Sequence, residues 1–150
     1  MELNTKGRYA VMAMADLARN QATASVPLSA IAERQQLSLA YLEQLFLRLR
    51  RAGLVESSRG RTGGYRLGRP AEQIYIAEIM SAVEEDTRMT RCMGDGGAPC
   101  MGEDRCIAHC LWEALGGHIR AFLSKVSLRA VLDGIPQAKL AVQPDRGIAP

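Results

Sequence analysis

No apolar run in the chain is long enough to cross a bilayer as a helix. The first residues, MELNTKGRYA, lack the basic, apolar and small-residue regions of a signal peptide, so the expectation is a cytoplasmic protein with no membrane partner. There is no internal repeat, which sets aside solenoids and propellers. A nucleotide-binding phosphate loop is also missing: GRTGG, residues 60–64, has neither the glycine spacing nor the Lys followed by Ser or Thr that such a loop needs. Cysteine is absent everywhere except residues 91–110, RCMGDGGAPCMGEDRCIAHC, which hold all 4. Thiols are kept reduced in the cytosol, so a cluster of this kind points to a metal or redox site and not to a disulfide framework.

What is present divides at Pro70. Residues 1–70 carry eleven Lys or Arg against five Asp or Glu, and residues 71–150 carry eight against eleven, within a chain whose formal charge is +3. The basic half is suited to a polyanion and the acidic half is not. At 150 residues the chain can bury a core as one domain with an appendage.

Apolar periodicity predicts a mainly helical fold with a small β-hairpin. NTKGRYAVMAMADLARN places Ala10, Ala13, Met14 and Leu17 on one helical face, with Asn4 or Thr5 as N-cap. PLSAIAERQQ predicts a short helix behind Pro27 with Leu28, Ile31 and Ala32 inward. Ser38 then caps SLAYLEQLFLRLRRAG, whose inner face holds Leu42, Leu45, Phe46 and Leu49 and which stops at Gly53. Two helices at this spacing, over about residues 28–51, form a helix-turn-helix pattern. LVESSRGRTGGYRL, about residues 54–67, alternates at both ends and is glycine-rich between, which predicts a hairpin wing with Arg59 and Arg61 at its tip.

IYIAEIMSAVEED predicts a helix packing Ile76, Ile79, Met80 and Val83. A long helix over about residues 106–126 has Leu111, Leu115, Phe122 and Val126 near one stripe suited to a dimer partner. Gly116 and Gly117 within it suggest a kink or a close backbone contact. SLRAVLDG predicts one further short helix, and residues 133–150 read as a disordered tail.

A recognition helix enters the major groove of DNA and a wing tip reaches the neighbouring minor groove. Gln44 has the two-point geometry for an adenine edge, while Arg59 and Arg61 suit a narrow minor groove. Lys6, Arg8, Arg48, Arg50 and Arg51 are candidates for phosphate contacts. Glu43 accepts only from cytosine N4 at a base edge, so it either discriminates between sequences or turns aside to pair with an arginine.

Cys92, Cys100, Cys106 and His109 follow C-x7-C-x5-C-x2-H. Cys106 and His109 are expected to share one face at a helix start, while the other two arrive from a glycine-rich loop. Structural zinc uses the same donor set, although its sites more often show two tight pairs and only the last pair is tight here. Spacing leaves zinc, an iron-sulfur cluster and unligated thiols all open. Cys110 is expected to pack as a small hydrophobe, with capture of the site as its alternative role, and His118 to lie on the helix surface.

NTKGRYAVMAM, VPLSAIAERQQLSLAYLEQLFLRLRRAGLV, SSRGRTGGYRLG and TRC...CMGEDRCIAHCLW resemble, over about residues 1–132, a family of dimeric winged helix-turn-helix bacterial repressors that bind iron-sulfur clusters and include iron- and nitric oxide-responsive members. The resemblance implies a homodimeric transcription regulator, not an enzyme, with one [2Fe-2S] cluster per subunit held by Cys92, Cys100, Cys106 and His109. It implies binding to promoter operators, with DNA contacts at Ala40, Tyr41, Glu43, Gln44 and Arg59. It also implies repression of cluster-assembly genes, the protein's own operon included, a site preference that changes with cluster occupancy, and an assembly scaffold as cluster donor.

Several positions depart from the family pattern. Ala98 and Pro99 lengthen the loop between the first two cysteines, Ala40 replaces a serine, and Cys110 stands where relatives have a non-ligating residue. Arg8 replaces the acidic ligand of the nitric oxide-sensing members, which argues against that branch.

Overall fold

The structure is a computed structural model that describes residues 5–21, 24–60, 63–83 and 105–135. Helix α1, Thr5–Asn20, buries Ala10, Ala13, Met14 and Leu17, the face its periodicity predicts, together with Gly7 and Asp16. Helix α2, Leu28–Gln35, starts behind the extended Pro27 and buries Ile31 and Ala32. Its end is set by Gln36, which takes the left-handed conformation (φ 53°) that a residue with a Cβ adopts at some cost. The Leu37 N–H bonds to the Ala32 carbonyl at 2.9 Å and holds that turn.

Ser38 occupies the N-cap of α3, Leu39–Arg51, but its hydroxyl makes no capping bond. Its backbone carbonyl instead accepts the Leu42 N–H at 3.0 Å. Leu42, Leu45, Phe46 and Leu49 face inward and are buried, each contributing roughly 1.5–3 kcal/mol of apolar burial. Gly53, with φ 72°, turns the chain out of α3 into the hairpin.

Strands β1, Val55–Ser58, and β2, Gly64–Leu67, pair antiparallel with Val55 opposite Leu67 and Ser58 opposite Gly64. The hairpin is fastened to the helical body in four ways. Val26, ahead of α2, exchanges both backbone bonds with Tyr65, at 2.9 and 2.8 Å. Gln21 Oε1 accepts the Leu67 N–H at 2.7 Å, and the Ser25 and Ser58 hydroxyls lie 2.6 Å apart. The Tyr65 ring meets Phe46 of α3 edge to face with centroids 4.9 Å apart. Gly64 is required here because a Cβ would come within 2.6 Å of the Val26 carbonyl group.

A 3-10 turn, Ala71–Gln73, leads to α4, Ile76–Ala82, which buries Ile76, Ile79 and Met80, and Val83 behind it is buried too. Arg69 pairs with Glu78, whose other oxygen accepts the Tyr75 N–H at 2.9 Å, so one carboxylate ties the hairpin exit to the start of α4. Helix α5 spans His109–Leu123, shorter at both ends than expected. Residues 106–108 form a turn ahead of it, and past residues 124–125 the chain becomes extended, so Val126 is buried off the helix. There the Ile76 N–H bonds to the Val126 carbonyl at 2.9 Å and the Leu128 N–H to the Ile74 carbonyl at 2.7 Å. Helix α6, Leu128–Leu132, is capped by the Ser127 hydroxyl, which accepts the Ala130 N–H, and it packs on α1. Helix α5 runs unbroken through Gly116 and Gly117; Gly116 is buried, and a Cβ on Gly117 would meet nothing within 4 Å, so no close contact explains that glycine. The predicted tail lies outside the described residues from residue 136 onward.

Candidate nucleic-acid interface and metal centre

The outward side of α3 presents Ala40, Glu43 and Gln44 exposed, with Tyr41 half-buried among them. Leu39 and Leu47 are exposed on the same helix at 41% and 39%, an apolar surface suited to thymine methyl groups. Gln44 and Arg48 line a groove of about 590 Å³ between α3 and the end of α4. Glu43 forms no ion pair among the described residues, so it is not turned aside onto any arginine described there.

Basic side chains flank this surface. Arg8 is exposed and Lys6 half-buried on the first turn of α1, and Arg50 and Arg51 are exposed at the end of α3. Arg50 Nη1 donates to the Ser57 hydroxyl at 3.3 Å, which links the recognition helix to the hairpin. Arg59 is exposed just past β1, and Arg61 lies outside the described residues. Fastening the hairpin to both Val26 and Phe46 fixes where Arg59 sits relative to α3, as joint reading of adjacent grooves requires.

One polar assembly, between α1 and α2, is not evident in the sequence. Asp16 is only 7% exposed. Its carboxylate accepts from Arg34 Nη2 at 2.5 Å and Arg34 Nε at 3.0 Å, from Gln35 Nε2 at 2.8 Å and from Asn20 Nδ2 at 3.3 Å. Burial alone raises the Asp16 carboxyl, but the bonds from Arg34, Gln35 and Asn20 and the Arg34 charge outweigh it and hold the group below the usual range. The clamp joins α1 to the last turn of α2, one residue before the left-handed Gln36. The signal for it was a charged residue adjoining the apolar stripe of α1.

His109 opens α5 and is 3% exposed, an unusual burial for a histidine in a helix's first turn. Cys106 is half-buried in the turn ahead of the helix and not on it, because the helix begins only at His109; the His109 N–H bonds to the Cys106 carbonyl at 3.0 Å. The turn leaves the two candidate donors three residues apart, with that backbone bond between them. Glu113, one helical turn on, has Oε2 3.9 Å from His109 Nε2. Cys110 is exposed, so it does not pack as a buried hydrophobe, and His118 is exposed as expected. Cys92 and Cys100 lie outside the described residues.

A helix pair followed by a hairpin fastened beside the second helix defines a winged helix-turn-helix DNA-binding protein. The family profile described as Rrf2, iron-dependent transcriptional regulator, matches residues 3–134. The chain belongs to the Rrf2 family of transcriptional regulators, which are not enzymes. It is 52% identical over 132 residues to the HTH-type transcriptional regulator IscR of Xenorhabdus nematophila, covering 88% of this chain and 79% of that one. The IscR of Escherichia coli O1:K1 is likewise 52% identical, over 128 residues, 85% of this chain and 78% of the other. Among solved structures, T. potens IscR superposes with a TM-score of 0.74 at 35% identity, over 94% and 93% of the two chains. CymR, the global cysteine regulator of B. subtilis, gives 0.73 at 30% identity, over 89% and 97%. This is an IscR-type DNA-binding transcription regulator.

Proposed function

We propose that the protein is a homodimeric iron-sulfur sensor that represses genes for cluster assembly, its own operon included, and whose cluster occupancy changes the DNA sites it prefers. Each subunit would hold one [2Fe-2S] cluster through Cys92, Cys100, Cys106 and His109, received from an assembly scaffold in the cytoplasm. The observation that carries this reading is the near-complete burial of His109 beside Cys106 in the turn that opens α5. A thiolate and an imidazole delivered by one turn fit the donor chemistry of such a group. Glu113 stands on the Nε2 side of the ring, the kind of carboxylate that orients a ligating imidazole. When bound, the cluster supplies a redox-active group whose presence reports iron and sulfide availability.

The chain's own contacts supply a route from that turn to the DNA surface. Helix α5 packs on α4 and α4 on α3, while the far end of α5 is joined through Val126 and Leu128 to the strand segment that starts α4. A change in how residues 106–109 are held therefore bears on α3 through packed elements. Leu111 and Phe122, exposed at 61% and 39%, and the half-buried Leu115 and Ile119 form a stripe on α5 suited to a second copy of the chain. Two copies set the distance between two recognition helices, and that distance selects half-site spacing.

On the DNA, Gln44, Glu43, Tyr41 and Ala40 face base edges, Arg59 and Arg61 the minor groove, and Lys6, Arg8, Arg48 and Arg50 phosphates. Selection of binding duplexes from a random library, run with anaerobic cluster-loaded protein and with chelator-stripped protein, tests the reading. Two different preferred sequences are expected. One shared sequence with equal affinity in both states overturns the switch.

A further inference from the structure

We propose that Tyr9 is a positioning residue for DNA recognition, acting through the ring of Tyr41. Tyr41 lies in the first turn of α3, the part of a recognition helix that enters the groove, and its neighbours Ala40, Glu43 and Gln44 are exposed. Tyr41 differs from them in being half-buried, and what covers it includes a residue of another helix: the Tyr9 ring of α1 meets it edge to face, centroids 6.1 Å apart and planes at 88°. That is the geometry in which the positive edge of one aromatic ring meets the negative face of the other.

A tyrosine side chain has two rotatable bonds, and holding it against Tyr9 removes rotamer freedom before DNA arrives. The phenol is then presented to the duplex in one orientation, so Tyr9 lowers the cost of recognition without touching DNA. The same contact sets the first turn of α1, with the exposed Arg8 beside Tyr9, against the first turn of α3. A phosphate-contacting segment and a base-contacting side chain are thereby held in one register.

The inference rests on Tyr41 facing DNA, and the experiment separates the two claims. Full-length Tyr9→Phe, Tyr9→Leu, Tyr9→Ala, Tyr41→Ala and the Tyr9→Ala/Tyr41→Ala pair are compared on two probes. One is a duplex selected from a random library by the wild-type chain and the other a scrambled duplex of the same composition. Tyr9→Ala is expected to weaken the selected duplex by about 2- to 10-fold, the range of an aromatic pair, and to leave the scrambled one unchanged. Tyr9→Phe should retain affinity, and Tyr9→Leu, which fills the space without an aromatic edge and keeps the test open if the alanine variant unfolds, should follow Tyr9→Ala. On a Tyr41→Ala background the Tyr9 substitution should cost nothing further. Multiplying losses, or equal weakening of both duplexes, overturns the positioning role; an unaltered Tyr41→Ala overturns the DNA contact itself and the inference with it.

Discussion

Removing Arg34 from the Asp16 clamp should cost more stability than removing Asp16. Arg34→Ala strands a carboxylate that is 7% exposed and leaves it only the amide donors of Gln35 and Asn20. Breaking a buried ion pair from one side costs about 3–5 kcal/mol, but the Arg34 side chain is 39% exposed and water can enter where it stood, so about 2–3 kcal/mol is expected. Asp16→Ala strands no charge, because Arg34 turns to solvent; the loss is mainly the Gln35 bond and a small cavity, about 1–2 kcal/mol. The double variant should resemble Asp16→Ala, giving a coupling equal to the whole Arg34→Ala cost, about 2–3 kcal/mol. Urea unfolding at one fixed protein concentration, since the proposed dimer would link stability to concentration, measures all three. Acid supplies a second axis. The folded Asp16 carboxyl is held below its unfolded value, so the clamp contributes fully above about pH 4 and is lost as the pH falls through the folded value. The cost of Arg34→Ala should therefore shrink below about pH 4. Additive losses, an Asp16→Ala cost above that of Arg34→Ala, or a pH-independent difference would refute the reasoning.

On the DNA side, Gln44→Ala and Arg59→Ala should each weaken a selected duplex by about 1–3 kcal/mol in anisotropy titrations, and full affinity in both would remove them from the interface. Gly64→Ala, whose Cβ would meet the Val26 carbonyl group at 2.6 Å, should destabilise the fold by about 1–3 kcal/mol in thermal unfolding; an unchanged midpoint would mean the hairpin base yields freely. Gly117→Ala points the other way: the added methyl meets open space in a helix interior, so a gain of about 1 kcal/mol is expected, and a loss would show that a second chain approaches there. His109→Ala should abolish bound iron while Cys110→Ala, at an exposed thiol, keeps it; the reverse pattern would exchange the two as ligands.

The helices were legible because each carries one unbroken apolar stripe. Ala10, Ala13, Met14 and Leu17 on α1 and Leu42, Leu45, Phe46 and Leu49 on α3 are buried on the faces their spacing marks. The hairpin was legible from alternation and glycine, whereas its attachment through Val26, Gln21 and Tyr65 depends on pairings up to 46 residues apart that no local pattern encodes. The same limit hid the Asp16 clamp and the Tyr9–Tyr41 contact, each of which joins two helices. Helix α5 was predicted too long because Cys106 and Val126 fit its period; a turn at one end and the bridge to Ile74 and Ile76 at the other override it. At the candidate metal centre, residue types and spacing named candidate donors, and only the fold revealed that His109 is buried and Cys110 is not.

The central claim is that the protein is a cluster sensor, and its most direct test is iron, acid-labile sulfide and zinc analysis of anaerobically purified protein alongside its visible spectrum. Iron and sulfide in equal amounts, with a visible absorption that reduction bleaches, are predicted. A colourless protein carrying stoichiometric zinc and no iron would contradict it.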